Sequence, residues 1–470
     1  MSPPPRTFRI RVLGCRVNHA ERRELSDVLK QRGLVPASKD SGADLEVVHT
    51  CTVTTRAAAK SRQAIRRAAR GQGDQPTVLV TGCLVGADPA HATTLAGSTG
   101  AAFGHDVPLT DSVGRWVDQW LGRPVPSADA RPDPTRLTAL PLSVLPTTRG
   151  DHTRAEVRVQ DGCNAWCTFC IIPKTRPVLR TKPVETVVQE VTKLIDLGHQ
   201  EVVLSGIFLG AYGHETALRR KQTHLQSDPL ADLVDAVASI DGLARLRLSS
   251  LEPGDVTEPL LDAMIAHDAV VAGHLHLPLQ SGADTVLKRM NRQYRVGAYL
   301  DMVDRVNQAL TTPDGLPPAI TTDIICGFPG ESRADFDQTV HIAQKVGFLH
   351  MHVFPFSPHD GTAAARWTTQ AIPMQERRAR VRELIALESG CDGLSVAYRK
   401  RLIGRQVRVI PEQVDPDRPG HWQGRCDQYA LISVPGPLER ERIVRAIPHS
   451  INDDVILAQE IPATVPLPVL

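Results

Sequence analysis

Three cysteines within the stretch CNAWCTFC, at positions 163, 167 and 170, constrain this chain more tightly than any other feature. They follow directly on AEVRVQ (155–160), whose apolar and polar residues alternate as in a half-buried strand. A strand that ends in a tight CxxxCxxC loop can turn three thiolates toward one centre. Three thiolates on a four-iron cubane leave one iron free for a small ligand. A structural zinc site closes with four ligands and favours CxxC pairs, and no fourth ligand lies adjacent here. The spacing alone leaves zinc, or three packing cysteines, as the alternatives.

The first 105 residues alternate strand-like and helical stretches. Strands are predicted at TFRIRVLG, DLEVVHT, TVLVTG and GAAFG, with helices over 18–31 and 55–70, the pattern of a parallel α/β sheet. Cys15, Cys51 and Cys83 each stand at or just past the end of one of these strands, where such sheets build ligand sites. They are expected to converge on a second metal centre; a zinc site completed by His49 or His19 is the alternative. Residues 121–150 are Pro-rich and aperiodic and read as a linker. From 155 onward AEVRVQ, EVVLSG, LARLRLSS, GHLHLPLQ, TTDIICGF and HMHVFPF are strand-like with helical segments between, which predicts an incomplete (β/α)6 barrel with its chemistry at the strand C-termini. After a helix over 374–394, short strands at 406–410, 429–434 and 441–446 predict a small β-barrel. The fold class is thus α/β, divided as 1–120, a linker over 121–150, a barrel over 151–398 and a small barrel over 399–470.

Nine cysteines, in a chain whose N-terminus lacks the basic–apolar–small pattern of an export signal, argue against a disulfide scaffold and place the protein in the cytoplasm. No apolar run approaches the ~18 residues of a membrane helix. A net charge of +2 neither demands nor excludes nucleic acid, so only local patches bear on it. Arg56, Lys60, Arg62, Arg66, Arg67 and Arg70 share one Ala-rich helix beside Cys51 and suit phosphates, a plain solvated face being the alternative. Arg219, Arg220 and Lys221 make a second basic tract. Trp422 and Tyr429 are candidates for stacking on bases or for packing. Cys326, Cys391 and Cys426 read as packing residues.

CxxxCxxC opening a βα barrel resembles the radical-SAM superfamily. The resemblance implies a [4Fe-4S] cluster on Cys163, Cys167 and Cys170 whose open iron chelates S-adenosylmethionine (SAM), with Phe169 near the adenine. LGCRVN, HTCTVT with AAAKSRQAIRR, and VTGC resemble the N-terminal domain of methylthiotransferases, which implies an auxiliary [4Fe-4S] cluster on Cys15, Cys51 and Cys83. RLSSLEP, HLPLQSGADTVLKRMNR, TDIICGFPGES and HVFPFSPHDGTAA continue the likeness, and WQGRCDQYALISV resembles a TRAM module, an RNA-binding β-barrel. The family uses one SAM to methylate a cluster sulfur and a second to form a 5′-deoxyadenosyl radical. That radical takes hydrogen from an unreactive C–H, and the substrate radical captures the methylthio group. Ser205, Gly206, Ser250, Glu252 and Gln280 match strand-end positions expected to contact SAM. Arg62, Arg66, Arg67, Arg176 and Arg180 are the expected RNA contacts, and no side chain is assigned a catalytic role of its own. The implied partners are a tRNA anticodon loop and an electron donor such as flavodoxin or ferredoxin, with the chain acting as a monomer.

Within the family, GCRVN and CTVT resemble the branch acting on threonylcarbamoyladenosine 37 of tRNA. The isopentenyladenosine branch, the branch modifying a ribosomal-protein aspartate, and a non-catalytic iron–sulfur RNA-binding protein are the other readings. The chain departs from the family pattern at His49, Lys174, Pro177, Phe208 and His359. Pro177 stiffens the loop after the third cysteine and biases Arg176 toward extended backbone.

Overall fold

Thr7–Val12, Leu45–Thr50, Thr77–Gly82 and Ala101–Phe103 form a parallel sheet, with the two-residue strand Val35–Pro36 added beyond the first. The computed structural model describes residues 6–461 apart from 39–40, 71–75, 126–136, 141–144, 147–148, 150–152, 220–226 and 440–441. Leu45–Thr50 is buried at every residue, as a central strand covered on both faces requires. Leu45, Val47 and Leu79 pack with Leu25, Leu29 and Val113 of the helices Arg16–Gln31 and Leu109–Trp120. Val48, Val78 and Val80 face the other way, onto Ala58, Ile65 and Ala92 of Thr55–Ala69 and Pro89–Ala96. The period-2 alternation thus sorts the side chains into two layers.

The six strands expected after residue 155 are present as Arg154–Asp161, Glu201–Gly206, Arg245–Leu248, His274–His276, Ala319–Cys326 and His350–Pro355. Neighbours run parallel, with a single bridge, Leu246 to Val271, joining the two halves. The helices lie outside, where Val191, Val234, Leu260, Tyr299 and Phe336 form one core with the outward-facing strand residues. Among the described residues the first and last strands do not pair, so the barrel is incomplete. Arg180–Thr181 and Thr138–Ala139 extend the open edge. Residues 138–139 correct the linker reading at that point; much of the rest of 121–150 lies outside the described residues.

The chain ends in a closed five-stranded barrel, ordered Val407–Val414, His421–Cys426, Leu431–Pro435, Val455–Ile461, Val444–Asn452. Sequence patterning found three of these strands and missed two. Gly424 interrupts HWQGRC like a turn residue, yet it is there for packing: a Cβ would lie 1.8 Å from the Ile410 carbonyl oxygen. Among the described residues no helix is long and apolar enough to cross a membrane.

Candidate functional site: two cysteine triplets joined through Arg176

The CxxxCxxC loop begins where Arg154–Asp161 ends. Gly162, at φ +81°, makes the turn, and a Cβ there would stand 2.0 Å from the Val178 carbonyl oxygen, so no other residue fits. Cys163, Cys167 and Cys170 are half-buried. Burial, and then the neighbouring Cys167, pushes the Cys163 thiol well up; burial pushes Cys170 up to about 12. Arg292 Nη1 donates to Cys167 Sγ at 3.3 Å, and the Ala165 amide donates to Cys163 Sγ at 3.5 Å. Such donors suit a cluster whose sulfurs carry negative charge.

Cys15, Cys51 and Cys83 sit at three neighbouring strand ends, as the pattern predicts. Gly14, at φ +116°, lets the first two close up: a Cβ there would be 2.8 Å from Cys51 Cβ and 3.1 Å from its Sγ. Cys51 and Cys83 are buried and Cys15 is exposed. Burial raises the Cys51 thiol and takes Cys83 up to about 11, with Arg176 opposing the rise at both. His49 does not complete a zinc site, because its ring nitrogens are engaged by Thr81 Oγ1 at 2.8 Å and Glu21 Oε2 at 2.9 Å. His19 lines a cleft of about 910 Å³ with Arg9, Arg16, Arg154 and Glu412. Among the described residues neither triplet gathers its sulfurs within 4.8 Å of one another. A single zinc, holding thiolates at about 2.3 Å, would draw them closer. A cubane takes each thiolate on a separate iron and does not need them that close, so the spacing opposes a single zinc at either triplet.

Arg176 joins the two sets. Its carbonyl accepts from the Cys163 amide at 3.2 Å, and its Nε donates to Cys83 Sγ at 3.4 Å. Its guanidinium also pairs with Glu21 and Asp161, each at 2.7 Å. Burial opposes ionisation of both acids, but Arg176 and Arg158 outweigh it, holding Glu21 well below the usual carboxylate range and Asp161 at about 2. Arg158 bonds Glu21, Glu24 and Asp161, and Lys182 bonds Glu24 and Glu190. The helix Arg16–Gln31 is clamped to the barrel through this buried network. Arg176 and Arg180, expected at the RNA, are instead bonded to groups of the protein. Both are buried, and Arg180 donates to the backbone oxygens of His105 and Asp106, locking the two units together.

The expected SAM contacts divide. Phe169 packs edge-to-face on Phe328, centroids 6.4 Å apart, beside Ile325 and next to Cys170. Ser205 is buried and its hydroxyl donates to the Val157 oxygen at 3.2 Å, which fixes the oxygen at the barrel wall and leaves only its acceptor capacity. Gly206 packs on Gln160 and keeps a half-exposed backbone. Ser250 is exposed at its strand end. Glu252 is buried, held by Arg219 and Arg292, and so steadies the arginine that reaches Cys167. Gln280 turns the chain at φ 63°, its amide donating to the Asp323 oxygen at 2.8 Å. His359, one of the departures, meets Thr52 beside Cys51, Nε2 to Oγ1 3.0 Å, and Ser357 meets Thr55 at 2.9 Å. Arg176 follows the helical turn at φ −138°, ψ 66°, non-helical as a residue before proline should be.

Thr55–Ala69 starts three residues after Thr52, its first turn capped by Thr54, and its buried face is Ala58, Ser61, Ile65 and Ala68. Arg56, Lys60, Arg66, Arg67 and Arg70 are exposed and Arg62 is half-buried. Tyr429 is not free to stack on a base. It stacks on His274 with centroids 4.5 Å apart, lies 5.2 Å from the Arg247 guanidinium, and accepts from Arg16 Nη2 at 2.6 Å. Trp422 is half-buried against Gly436. Cys326 and Cys426 are fully buried, whereas Cys391 is exposed. Arg220 and Lys221 lie outside the described residues, and Arg219 is paired with Glu252 and Asp255.

Residues 157–343 match the Radical SAM superfamily, and residues 7–104 match a family described as Uncharacterized protein family UPF0004. The chain is 33% identical, over 92% of its length and 90% of the relative's, to the threonylcarbamoyladenosine tRNA methylthiotransferase MtaB of Bacillus subtilis. It is also 33% identical, over 96% of its length and 88% of the relative's, to the tRNA-2-methylthio-N(6)-dimethylallyladenosine synthase of Frankia alni. Among solved structures, the radical S-adenosylmethionine methyltransferase TsrM of Kitasatospora setae shares the fold, with a TM-score of 0.53 at 13% identity over 77% of this chain and 75% of that one. Taken with the half-buried CxxxCxxC loop at the mouth of a parallel barrel, these likenesses establish that the chain belongs to the radical-SAM methylthiotransferase family and is an enzyme of that kind, using SAM and a [4Fe-4S] cluster.

Proposed function

We propose that this chain transfers a methylthio group to C2 of threonylcarbamoyladenosine at position 37 of tRNA. The observation that supports the reading is Arg176, which ties the Cys163 amide and the Cys83 sulfur into one buried network, as two triplets serving one substrate would require. When bound, a cluster on Cys163, Cys167 and Cys170 with SAM supplies the radical for C–H cleavage, and a second on Cys15, Cys51 and Cys83 supplies the methylthio sulfur. The protein's part is positioning. Arg292 and the Ala165 amide hold the sulfurs of the first triplet, with Glu252 steadying Arg292. The Thr52–His359 and Thr55–Ser357 bonds seat the Cys51 strand end on the barrel rim. On this reading residues 1–120 carry the auxiliary cluster, 151–398 the radical chemistry, and 399–470 an RNA-binding barrel.

Position 37 lies in a single-stranded loop, so its base enters a pocket without a duplex being opened. The exposed basic face of Thr55–Ala69 supports the RNA substrate, because it stands beside Cys51, where phosphates flanking an inserted base would lie. GCRVN and CTVT support the threonylcarbamoyl branch. The equal identity to the dimethylallyladenosine synthase of Frankia alni keeps the isopentenyl substrate as the second reading. Mass spectrometry of tRNA nucleosides from cells with and without the gene decides. Loss of 2-methylthio-threonylcarbamoyladenosine, with its unthiolated precursor accumulating, is expected. Loss of the methylthio group from the isopentenyl nucleoside instead moves the enzyme to that branch; no change in either, with no redundant enzyme present, refutes the tRNA assignment.

A further inference from the structure

His276, Asp323 and His352 stand on three adjacent parallel strands and face the interior of the barrel. Their neighbours Leu275, Leu277, Ile320, Ile324 and Met351 join the core beneath the helices, so the period-2 alternation turns the three polar side chains inward. The register pairs Asp323 with His352, and His276 with Thr321 one dyad away. Their ligand atoms all lie within 4.8 Å of one another. His276 Nε2 is 3.4 Å from Asp323 Oδ2. That is beyond the ~2.7–3.2 Å of a good hydrogen bond. It matches two ligands placed at about 2.1 Å around one tetrahedral ion.

The surroundings suit ligation. Thr321 Oγ1 holds His276 Nδ1 at 3.0 Å, which aims Nε2 at Asp323, the arrangement in which an outer polar group orients a metal-binding imidazole. His352 meets the ring of His350 edge-on, centroids 4.4 Å apart. The His276 and Asp323 side chains are 17% and 32% exposed, so the group is open to solvent rather than sealed in the core. Ile325, two residues beyond Asp323 on the same face, packs in one cluster with Phe169. The triad therefore lies one side-chain layer, about 6.6 Å along the strand, below Ile325 and the Phe169 cluster it joins.

We propose that His276, Asp323 and His352 bind a divalent first-row transition ion inside the barrel, separate from both cysteine triplets, with positions left open to water or to an oxygen of the substrate. Two imidazoles and one carboxylate select such an ion. The site does not depend on which nucleoside is modified. The test is a manganese(II) titration of the full-length enzyme with its iron–sulfur content already loaded, following the free-ion EPR signal, because thiolates compete poorly for manganese. One equivalent is expected to bind, and His352→Ala and Asp323→Asn are each expected to weaken binding by roughly tenfold or more. Unchanged iron content and melting temperature show that those variants fold, and His276→Gln is the reserve should either fail. Absence of binding up to millimolar manganese, or the same binding in the variants, overturns the proposal.

Discussion

Arg176 lies between two carboxylates and two sets of cysteines, and removing its charge leaves Glu21 and Asp161 buried with less than the cation they need. Breaking a buried pair by removing one partner costs about 3–5 kcal/mol. Arg176→Met is accordingly expected to lower the melting temperature markedly, and Arg176→Lys to fall between, since a single ammonium cannot reproduce the fork. A Met variant as stable as the wild type would refute the clamp. Gly162→Ala tests the other end of the loop. Its backbone clash with Val178 is expected to abolish iron binding at Cys163, Cys167 and Cys170, read as a fall in iron content with the N-terminal triplet intact. The six proposed ligand cysteines were legible in the sequence because strand-end placement and the CxxxCxxC spacing are local. The burial of Arg176 and Arg180 was not. A family motif marks that an arginine is present, and it does not say whether protein or RNA meets it.

At the scale of elements, the parallel strands were legible because short β-branched and apolar stretches end at turn residues, as Leu45, Val47 and Val48 do before Cys51. Arg16–Gln31 was harder. Its Glu21 and Glu24 are only 1% and 7% exposed, because Arg158, Arg176 and Lys182 of the barrel meet them. Charge pattern within one helix carries no information about a basic partner far along the chain. Thr55–Ala69 keeps its basic face outward, and that face should bind RNA backbone. The Arg66→Ala, Arg67→Ala double variant is expected to bind tRNA more weakly and to reduce the slope of log affinity against log salt by up to about 2. Filter binding across a salt series measures this; an unchanged slope assigns the face to solvent alone.

Across the whole molecule, the units meet beneath the barrel at Tyr429, where Arg16, Arg154, Arg247 and Arg425 surround one ring. Asp427 adds bonds to Arg245 and Arg408, at 2.6 and 2.9 Å, which hold the C-terminal barrel in place. Truncating this half-buried aromatic removes its stacking on His274 and its contacts with four arginines. Tyr429→Ala is therefore expected to lower the melting temperature and open the segment around Leu394–Lys400 to limited proteolysis. A loss of RNA affinity with unchanged stability would instead return Tyr429 to base stacking. The account rests above all on two cysteine triplets, each holding its own cluster across Arg176. Iron quantification with Mössbauer spectroscopy on the anaerobically reconstituted enzyme tests it most directly. The account predicts about eight irons per chain, falling to about four both when Cys15, Cys51 and Cys83 are replaced by Ala and when Cys163, Cys167 and Cys170 are replaced. Iron content that ignored the first replacement would contradict it.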